Sequence, residues 1–344
     1  MNYLAGKTVL ITGGAGFIGY HLAKKLLDES TCKIIIVDNL NDYYRVDLKK
    51  DRLKDLGVDP SSVDTHKTSR IVFYKANIAD TQAMHTLFGE HEINVVVNLA
   101  AQAGVRYAKK NPRAYVESNI DGFFNIMQQS ADHNVDICLY ASSSSVYGNT
   151  TPIPFKETAD GLMPLSFYAA TKLSGELMAC AYSQATSLHC VGLRFFNVYG
   201  PWGRPDMAYY SWSTAIRDKL PLAIHGQGKM LRDMTYIDDV TEAMFRLMEH
   251  YAPMRSPINP KGIYNNHEIF NIGNSSPVII QDVFDYLNKK IGPSEQTAYV
   301  EKGADEADKT YADTSKLRRA IGFAPDTSMQ DGLEKFVDWF KHYK

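Results

Sequence analysis

The sequence predicts an α/β fold: a doubly wound parallel sheet with a smaller, discontinuous C-terminal domain. In the first half, short β-branched runs alternate with longer helical patterns, as in right-handed βαβ units. A glycine-rich turn directly follows the first of these runs. After Phe195 the alternation ends in a segment rich in glycine, proline and aromatic residues, which is typical of a long ordered loop. A chain of 344 residues is long enough for about two domains.

The individual elements follow from these patterns in chain order. Strands are expected at residues 7–11, 33–37, 71–74, 94–98, 137–141 and 190–195, and helices at 17–28, 81–89, 113–131 and 167–186. Asn111 followed by Pro112 predicts a helix start, because the missing N–H of proline costs nothing in a first helical turn. Residues 57–69 predict a surface insertion. Further helices are expected at 206–220, 238–250, 280–289 and 329–342, with a strand at 268–272.

The change of pattern after Phe195 also suggests where the domains divide. We expect residues 1–196 and about 233–262 in the first domain, and about 197–232 and 263–344 in the second.

The composition excludes several kinds of partner. The 39 acidic and 37 basic side chains leave a net charge of −2, which provides no basic surface for nucleic acid. The four cysteines form no C-x-x-C pair and have no histidine at ligand spacing, so neither a metal site nor a disulfide framework is predicted. The apolar runs are far shorter than the ~20 residues that cross a membrane, and no signal-peptide pattern is found. We expect a cytoplasmic protein whose partners are small molecules.

The glycine-rich turn at residues 12–19 fits the pattern G-x-G-x-x-G and predicts a phosphate-binding loop. Glycine permits the unusual φ values and the close backbone approach that a pyrophosphate requires, and the next helix presents its first N–H groups. The candidate contacts to a dinucleotide are Gly13, Gly16, Phe17, Ile18 and Gly19. An ordinary tight turn is the alternative.

Asp38 follows the second strand, 19 residues after Gly19. A carboxylate there accepts hydrogen bonds from an adenosine ribose and repels a 2′-phosphate, so the sequence favours a Rossmann-type fold that binds NAD rather than NADP. The alternative role of Asp38, beside Asn39, is that of a turn residue at the end of the strand.

The pattern Tyr-x-x-x-Lys occurs four times, and position in the chain selects one copy. The copies are Tyr3/Lys7, Tyr20/Lys24, Tyr168/Lys172 and Tyr286/Lys290. Only Tyr168 opens a helix about 25 residues after a serine-rich strand end at residues 142–145. One helical turn brings Lys172 beside Tyr168, where its charge favours the phenolate. No G-x-S-x-G elbow surrounds the serines, which disfavours a serine hydrolase. The alternative to a catalytic role is a polar loop whose serines hydrogen-bond their own backbone.

With these motifs in this order, nearly the whole chain resembles the extended short-chain dehydrogenases/reductases, in their NAD-dependent nucleotide-sugar epimerase/dehydratase family. Further matching segments lie at residues 98–101, 194–197, 199–201, 231–233 and 236–239. Residues 101–107 and 199–207 are most similar to UDP-glucuronate 4-epimerases. The resemblance therefore implies an isomerase that uses NAD to oxidise a UDP-sugar transiently at C4 and returns the hydride to the opposite face, converting UDP-glucuronate to UDP-galacturonate.

The resemblance also implies roles for individual residues. Tyr168 matches the catalytic base, Lys172 its pKa partner and anchor of the nicotinamide ribose, and Ser143 the hydroxyl that binds the reacting sugar oxygen. Further cofactor contacts are implied at Asn77, Ile78, Ala100, Ala101 and Asn119. Substrate contacts are expected at Ser145, Asn197 and three arginines: Arg232 for the diphosphate, with a surface arginine as the alternative, and Arg106 and Arg204 for a carboxylate or the uridine.

Two departures from the family pattern leave alternatives open. Many relatives have aspartate at the position of Asn77, and uronate epimerases commonly have threonine at the position of Asn197, where neutral-sugar epimerases have asparagine. An epimerase of UDP-glucose or UDP-N-acetylglucosamine type therefore remains the alternative. A dehydratase is disfavoured because such enzymes carry an Asp-Glu pair where this chain has Ser144 and Ser145.

Two further implications concern catalysis and assembly. A non-catalytic NAD-binding regulator is disfavoured, since Ser143, Tyr168 and Lys172 are all present. Relatives commonly dimerise through helices that match residues 113–131 and 167–186, so a homodimer is expected.

Overall fold

The computed structural model describes residues 2–61, 65–254, 266–303 and 306–343. Its largest element is a sheet of eight strands in the spatial order β11-β7-β6-β5-β1-β2-β4-β3. The strands are β1 (Thr8–Thr12), β2 (Lys33–Val37), β3 (Thr65–Lys67), β4 (Ile71–Tyr74), β5 (Val95–Asn98), β6 (Ile137–Ser143), β7 (His189–Phe195) and β11 (His267–Ile272). All neighbours pair in parallel except β3, which runs antiparallel to β4 at the edge.

Helices cover both faces of this sheet, as expected for a doubly wound fold. They are α1 (Phe17–Glu29), α2 (Val46–Asp55), α3 (Thr81–Glu90), α4 (Pro112–Val116), α5 (Gly122–Asp132), α6 (Phe167–Ala185) and α8 (Ile237–Tyr251). Along β1, Val9 and Ile11 belong to one buried cluster, and Leu10 belongs to the cluster on the other face. Because successive strand residues point to opposite faces, one apolar strand supplies both cores. The predicted fold class is confirmed.

Two smaller sheets and four helices complete the described chain. One sheet has the order β12-β10-β8 and the other pairs β13 with β9 in parallel. These strands are β8 (Asn197–Tyr199), β9 (Leu222–His225), β10 (Leu231–Tyr236), β12 (Pro277–Ile279) and β13 (Thr297–Val300), and the helices are α7 (Ala208–Arg217), α9 (Ile280–Ile291), α10 (Ser315–Ile321) and α11 (Met329–His342). Aromatic side chains join α7 to α11, with the rings of Tyr209 and Phe336 4.8 Å apart.

The structure differs from the sequence expectations at several elements. Helix α2 and strand β3 lie between the second and third predicted strands, where no element was expected. The helix predicted at 113–131 is interrupted by a π-helical turn at Glu117–Asp121, and the predicted loop after Phe195 contains β8. Asn111 does cap its helix, since its side chain accepts a hydrogen bond from the Ala114 N–H.

The predicted domain boundaries also differ from the sheets at two places. The boundary at about 232/233 falls within β10, which pairs with β8 and β12 in one small sheet. Strand β11 pairs with β7 in the large sheet, although the boundary at 262/263 assigns it to the second domain. That boundary itself lies outside the described residues. Among the helices that the structure describes, none is long and apolar enough to cross a membrane.

Candidate functional site

A deep cleft opens at the carboxyl ends of the parallel strands, where the strand order reverses between β1 and β5. This is the position at which doubly wound sheets bind ligands. The cleft is lined by residues of the glycine loop, of the ends of β2, β5 and β6, of the start of α6, and of the segment after β7. Most of the residues predicted for the site meet there: Gly13, Gly16, Phe17, Ile18, Gly19, Asp38, Asn77, Ile78, Ala100, Ala101, Ser143, Tyr168, Lys172 and Arg204.

The glycine loop has a backbone that side chains would disrupt. Gly13 has φ +69°, and a Cβ atom there would lie 2.8 Å from the backbone nitrogen of Ala100. At Gly19, in the first turns of α1, a Cβ would lie 2.4 Å from the carbonyl oxygen of Gly13. The loop can therefore pass close to both β5 and α1 only with glycine at these positions. The first N–H groups of α1 then face the cleft, as a pyrophosphate requires.

Asp38 is buried at the end of β2 and borders the cleft. Its Oδ2 accepts a hydrogen bond from the Ala15 N–H at 3.1 Å, and its Oδ1 accepts one from the Leu40 N–H at 2.8 Å. The carboxylate thus ties the glycine loop to the following turn, so the turn role proposed as an alternative is present. Because a carboxylate has about four acceptor positions, Asp38 retains capacity for a ribose.

Asn77 and Ile78, two of the expected cofactor contacts, also line the cleft. The Asn77 side chain donates to Glu117 Oε1 at 2.8 Å and accepts from the Ala79 N–H. Asparagine at this position therefore makes contacts that an aspartate could not make in full, since an ionised carboxylate cannot donate to Glu117.

Ser143, Tyr168 and Lys172 converge where β6 ends and α6 begins. Ser166 caps α6 by accepting a hydrogen bond from the Ala169 N–H at 3.1 Å, which places Tyr168 in the first turn. One turn later, Lys172 Nζ donates to the Ala141 carbonyl at 2.9 Å and lies 5.9 Å from the centre of the Tyr168 ring.

The electrostatics of this group are set by burial and by two cations. Burial raises the pKa of Tyr168 above its ordinary value, while a hydrogen bond with Ser143 and the charge of Arg204 act to lower it. Burial lowers the pKa of Lys172 to about 8. Lys172 is therefore charged at neutral pH, and the two cations favour the phenolate form that a proton acceptor needs.

Three predicted site residues lie beside the cleft without lining it. Asn119 is buried behind it, where its amide bonds both backbone groups of Gln102 and the Thr171 hydroxyl. It therefore supports the cleft wall. Ser145 donates its backbone N–H to the Ser143 hydroxyl, and Asn197 is half-buried in β8.

The three predicted arginines are in different surroundings. Arg106 is 62% exposed in its side chain and forms an ion pair with Glu306. It does not line the cleft that holds Ser143, Tyr168 and Lys172. Arg232 bonds the carbonyls of Leu231 and Asp308 rather than lining the cleft. Arg204 alone among the three borders the cleft.

Several residues of the site were missed from the sequence. Asn41, Tyr43 and Tyr44, in the segment between β2 and α2, and Lys49 of α2 border the cleft. Tyr43 and Tyr44 are adjacent and follow the Asp38 turn, and this pair of aromatic hydroxyls is a signal that the sequence alone contains. Arg52 of α2 is fully buried and donates to the carbonyls of Ala15, Trp202 and Gly203 and to the Tyr44 hydroxyl.

A buried ion pair lies beneath the catalytic strand end. Arg194 of β7 and Glu176 of α6 pair at 2.8 Å, and Glu176 also accepts a hydrogen bond from the Ser142 hydroxyl. Glu176 follows Lys172 by one helical turn, so the pair fixes the same face of α6 that carries Tyr168.

The comparisons with known proteins agree with this geometry. Protein CapI of Staphylococcus aureus is 44% identical over 97% of this chain and 98% of that protein. A probable UDP-glucuronate 4-epimerase of Rhizobium meliloti is 36% identical over 96% of each chain. The crystal structure of UDP-glucuronic acid 4-epimerase from Bacillus cereus, in complex with UDP-glucuronic acid and NAD, superposes with a TM-score of 0.84 at 32% identity over 97% of this chain and 99% of that one.

A model of the NAD-dependent epimerase/dehydratase family matches residues 9–273, which include every element of the cleft described above. The glycine cradle at Gly13 and the ribose-side carboxylate of Asp38 fit the NAD that this family uses. The chain belongs to the NAD-dependent epimerase/dehydratase family.

Proposed function

We propose that this protein is an NAD-dependent 4-epimerase of UDP-sugars that interconverts UDP-glucuronate and UDP-galacturonate. The observation that carries the proposal is the position of Arg204, whose guanidinium borders the same cleft as Ser143, Tyr168 and Lys172. The names of two relatives support the same reaction. The Rhizobium meliloti protein is named a probable UDP-glucuronate 4-epimerase, and the Bacillus cereus crystal structure is that of a UDP-glucuronic acid 4-epimerase.

Each residue of the cleft has its own role in the proposed reaction. Tyr168 accepts the proton of the C4 hydroxyl, and Ser143 holds the same oxygen by a hydrogen bond. Lys172, fixed by the Ala141 carbonyl, supplies positive charge beside Tyr168 and bonds the nicotinamide ribose. When bound, NAD would supply the hydride acceptor for C4 and the hydride that returns to the opposite face of the 4-keto sugar. The glycine loop would hold the pyrophosphate, and Asp38 and Asn77 would hold the adenosine. Asn119 supports the cleft wall through Gln102 and Thr171.

The side chains of the cleft favour epimerisation over dehydration. Elimination of water needs an acid and a base beyond the tyrosine. Among the described residues that line the cleft, the carboxylate is that of Asp38, which lies on the ribose side rather than beside Ser143. Epimerisation needs only one proton-transfer group, since Tyr168 can take the proton from the C4 hydroxyl and return it to the same oxygen when the hydride returns.

Arg204 favours a sugar with a C6 carboxylate. A guanidinium binds a carboxylate through two parallel hydrogen bonds, and a charge-assisted pair is worth about 1.5 to 3 kcal/mol. This amounts to a preference of roughly 10-fold to 100-fold over a neutral hydroxymethyl group. Of the three arginines, only Arg204 lines the cleft that holds Ser143, Tyr168 and Lys172, so we assign the carboxylate to Arg204.

Asn197 favours a second candidate, an epimerase of neutral UDP-hexoses. It resembles the residue of neutral-sugar epimerases, and the UDP-glucose 4-epimerase of Thermotoga maritima superposes with a TM-score of 0.82 at 27% identity over 97% of this chain.

One experiment separates the two candidates. Purified protein is incubated with UDP-glucuronate, UDP-glucose or UDP-N-acetylglucosamine, without added NAD, and the C4 epimers are resolved chromatographically. We expect UDP-galacturonate to form and the neutral sugars to react at least 10 times more slowly. Faster turnover of UDP-glucose would replace the uronate assignment by the neutral-sugar one, and release of water would indicate a dehydratase.

We further propose that two copies form a homodimer through α5 and α6. Both helices expose large apolar side chains, with Phe124 46% and Leu177 67% exposed. Such side chains are stabilised when a partner helix covers them. A cytoplasmic location remains a prediction of the sequence.

A further inference from the structure

Tyr43 connects the two sides of the cleft at a point that the catalytic residues do not use. It lies in the segment after Asp38, and its hydroxyl donates to Asp206 Oδ2 at 3.1 Å. Asp206 belongs to the segment between β8 and α7, on the opposite side of the cleft. The hydrogen bond therefore ties the cofactor side of the cleft to the segment that carries Arg204.

Asp206 in turn holds Arg204. Arg204 Nε donates to Asp206 Oδ1 at 3.1 Å, and Nη2 donates to Oδ2 at 2.7 Å. This two-point contact uses one edge of the planar guanidinium. The second edge, formed by Nη1 and the other hydrogen of Nη2, then points away from Asp206 and has the spacing to bind another carboxylate at two points.

The packing around Tyr43 fixes its hydroxyl in this place. The Tyr43 ring lies 5.0 Å from the ring of Tyr107 and 6.2 Å from that of Tyr44. Gly104 has φ +93°, and a Cβ atom there would lie only 2.2 Å from the Tyr43 hydroxyl. The loop after β5 therefore leaves the space that the hydroxyl occupies.

The charges keep the donor and the acceptor in the required forms. Burial and the neighbouring Asp206 raise the pKa of Tyr43 to about 12, so its hydroxyl stays protonated. Burial alone would raise the pKa of Asp206, but the Arg204 guanidinium holds it below its ordinary value. At neutral pH, Tyr43 is therefore a neutral donor, Asp206 is an anion and Arg204 is a cation that lines the cleft.

We propose that Tyr43 and Asp206 are positioning residues that orient Arg204, so that Tyr43 sets the selectivity of the cleft for a charged sugar without touching the sugar itself. The inference rests on the proposed function, since it needs a substrate carboxylate for Arg204 to bind. Without the Tyr43 hydroxyl, Asp206 and Arg204 can rotate together about their side-chain bonds. Binding of a carboxylate must then order both side chains, and the lost entropy weakens the affinity. The affinity for a neutral sugar, which does not use Arg204, is unchanged.

The test compares Tyr43→Phe with wild type in two constants, the KM of UDP-glucuronate and the inhibition constant of UDP-glucose as a competitor. One hydrogen bond to a charged acceptor corresponds to roughly a 3-fold to 10-fold effect. We expect Tyr43→Phe to raise the KM of UDP-glucuronate by about that factor, while the inhibition constant of UDP-glucose stays within about twofold of wild type. Tyr44→Phe is the matched control, because the Tyr44 hydroxyl bonds Arg52 instead, and it should change both constants equally.

A double variant shows whether Tyr43 acts through Arg204. In an Arg204→Leu background, Tyr43→Phe should cause no further rise in the KM of UDP-glucuronate. An additive effect in that background, or an equal change of both constants in the single variant, would overturn the inference while leaving the proposed function intact. If Arg204→Leu itself weakened UDP-glucuronate and UDP-glucose equally, the uronate function would be wrong and the inference would fail with it.

Discussion

Tyr168 is the residue on which the proposed chemistry depends most directly. Burial raises the pKa of Tyr168, whereas the Ser143 hydrogen bond and the charge of Arg204 lower it. The Lys172 ammonium lies 5.9 Å from the centre of the ring. These two cations stand on different elements, one on α6 and one after β8. The proton acceptor is therefore prepared jointly by the cofactor side and the sugar side of the cleft.

Tyr168→Phe removes the proton acceptor but keeps the ring and its edge contact with Tyr115. We expect kcat to fall by roughly 10²-fold or more, with the dissociation constants of NAD and the UDP-sugar little changed. Steady-state kinetics and calorimetric titration measure both. Tyr286→Phe is the control from another Tyr-x-x-x-Lys copy, since Tyr286 donates to Glu334 far from the cleft. Near-normal turnover of Tyr168→Phe would remove Tyr168 from the mechanism.

Gly13 allows a second test at a single position. Gly13→Ala combines a left-handed φ of +69° with a Cβ only 2.8 Å from the Ala100 backbone nitrogen. Gly6→Ala imposes nearly the same φ, +71°, but meets no atom within 4 Å. We expect Gly13→Ala to weaken NAD binding about 10-fold or more, while Gly6→Ala, with only the strain of about 1 to 2 kcal/mol, keeps its NAD. The nucleotide released on denaturation measures the difference, and equal retention by the two variants would contradict the role of the loop.

Helix α2 shows what the sequence could not reveal at the level of elements. Its ten residues include seven charged ones, so the pattern lacks the apolar stripe that predicts a buried helix. Its buried face is instead formed partly by Arg52, whose guanidinium is satisfied by carbonyls from two distant loops. A buried cation of this kind depends on partners that only the folded chain brings together.

The sequence predicted the cofactor side of the site better than the sugar side. The glycine loop, Asp38 and the pair Tyr168/Lys172 are local patterns with fixed spacings, and all of them border the cleft. Arg106 also follows a strand at the carboxyl edge, yet it pairs with Glu306, 200 residues away. No local pattern indicates which way such a side chain points.

Helix α1 is joined to the loop after β8 by a histidine, and this contact depends on pH. His21 Nε2 lies 2.9 Å from the Pro201 carbonyl, and burial lowers the pKa of His21 to about 4 from 6.5. In the unfolded chain, His21 therefore binds a proton as the pH falls below 6.5. In the folded chain, His21 binds a proton only as the pH approaches about 4. This contribution to stability is complete above pH 6.5 and is lost as the pH falls toward 4.

We expect the free energy of unfolding of wild type to lose about 2 kcal/mol through His21 between pH 7.5 and pH 5. His21→Gln keeps a donor for Pro201 but does not titrate, so its loss over this range should be smaller by that amount. Urea unfolding at the two pH values measures the difference. His85→Gln, at an exposed position of α3, is the matched control and should behave as wild type. Parallel curves for wild type and His21→Gln would show that His21 does not contribute.

At the scale of the whole molecule, the proposed dimer depends on one apolar surface. Phe124 of α5 and Leu177 of α6 lie on helices that pack against each other, and the Phe124 ring also contacts Tyr182 of α6. A second copy that presents the same two helices would cover this surface symmetrically. Because α6 also carries Tyr168 and Lys172, the proposed dimer would stabilise the helix on which catalysis depends.

Leu177→Glu places a charge in the middle of that surface, where pairing by two-fold symmetry would bring two like charges together. We expect wild type to elute as a dimer in size-exclusion chromatography with light scattering, and Leu177→Glu as a monomer. Leu220→Glu, at a residue 52% exposed beyond the end of α7, is the matched control and should remain dimeric. The monomer should lose thermal stability in proportion to the apolar area that the partner no longer covers. A monomeric wild type, or a dimer that survives Leu177→Glu, would place the interface elsewhere or remove it.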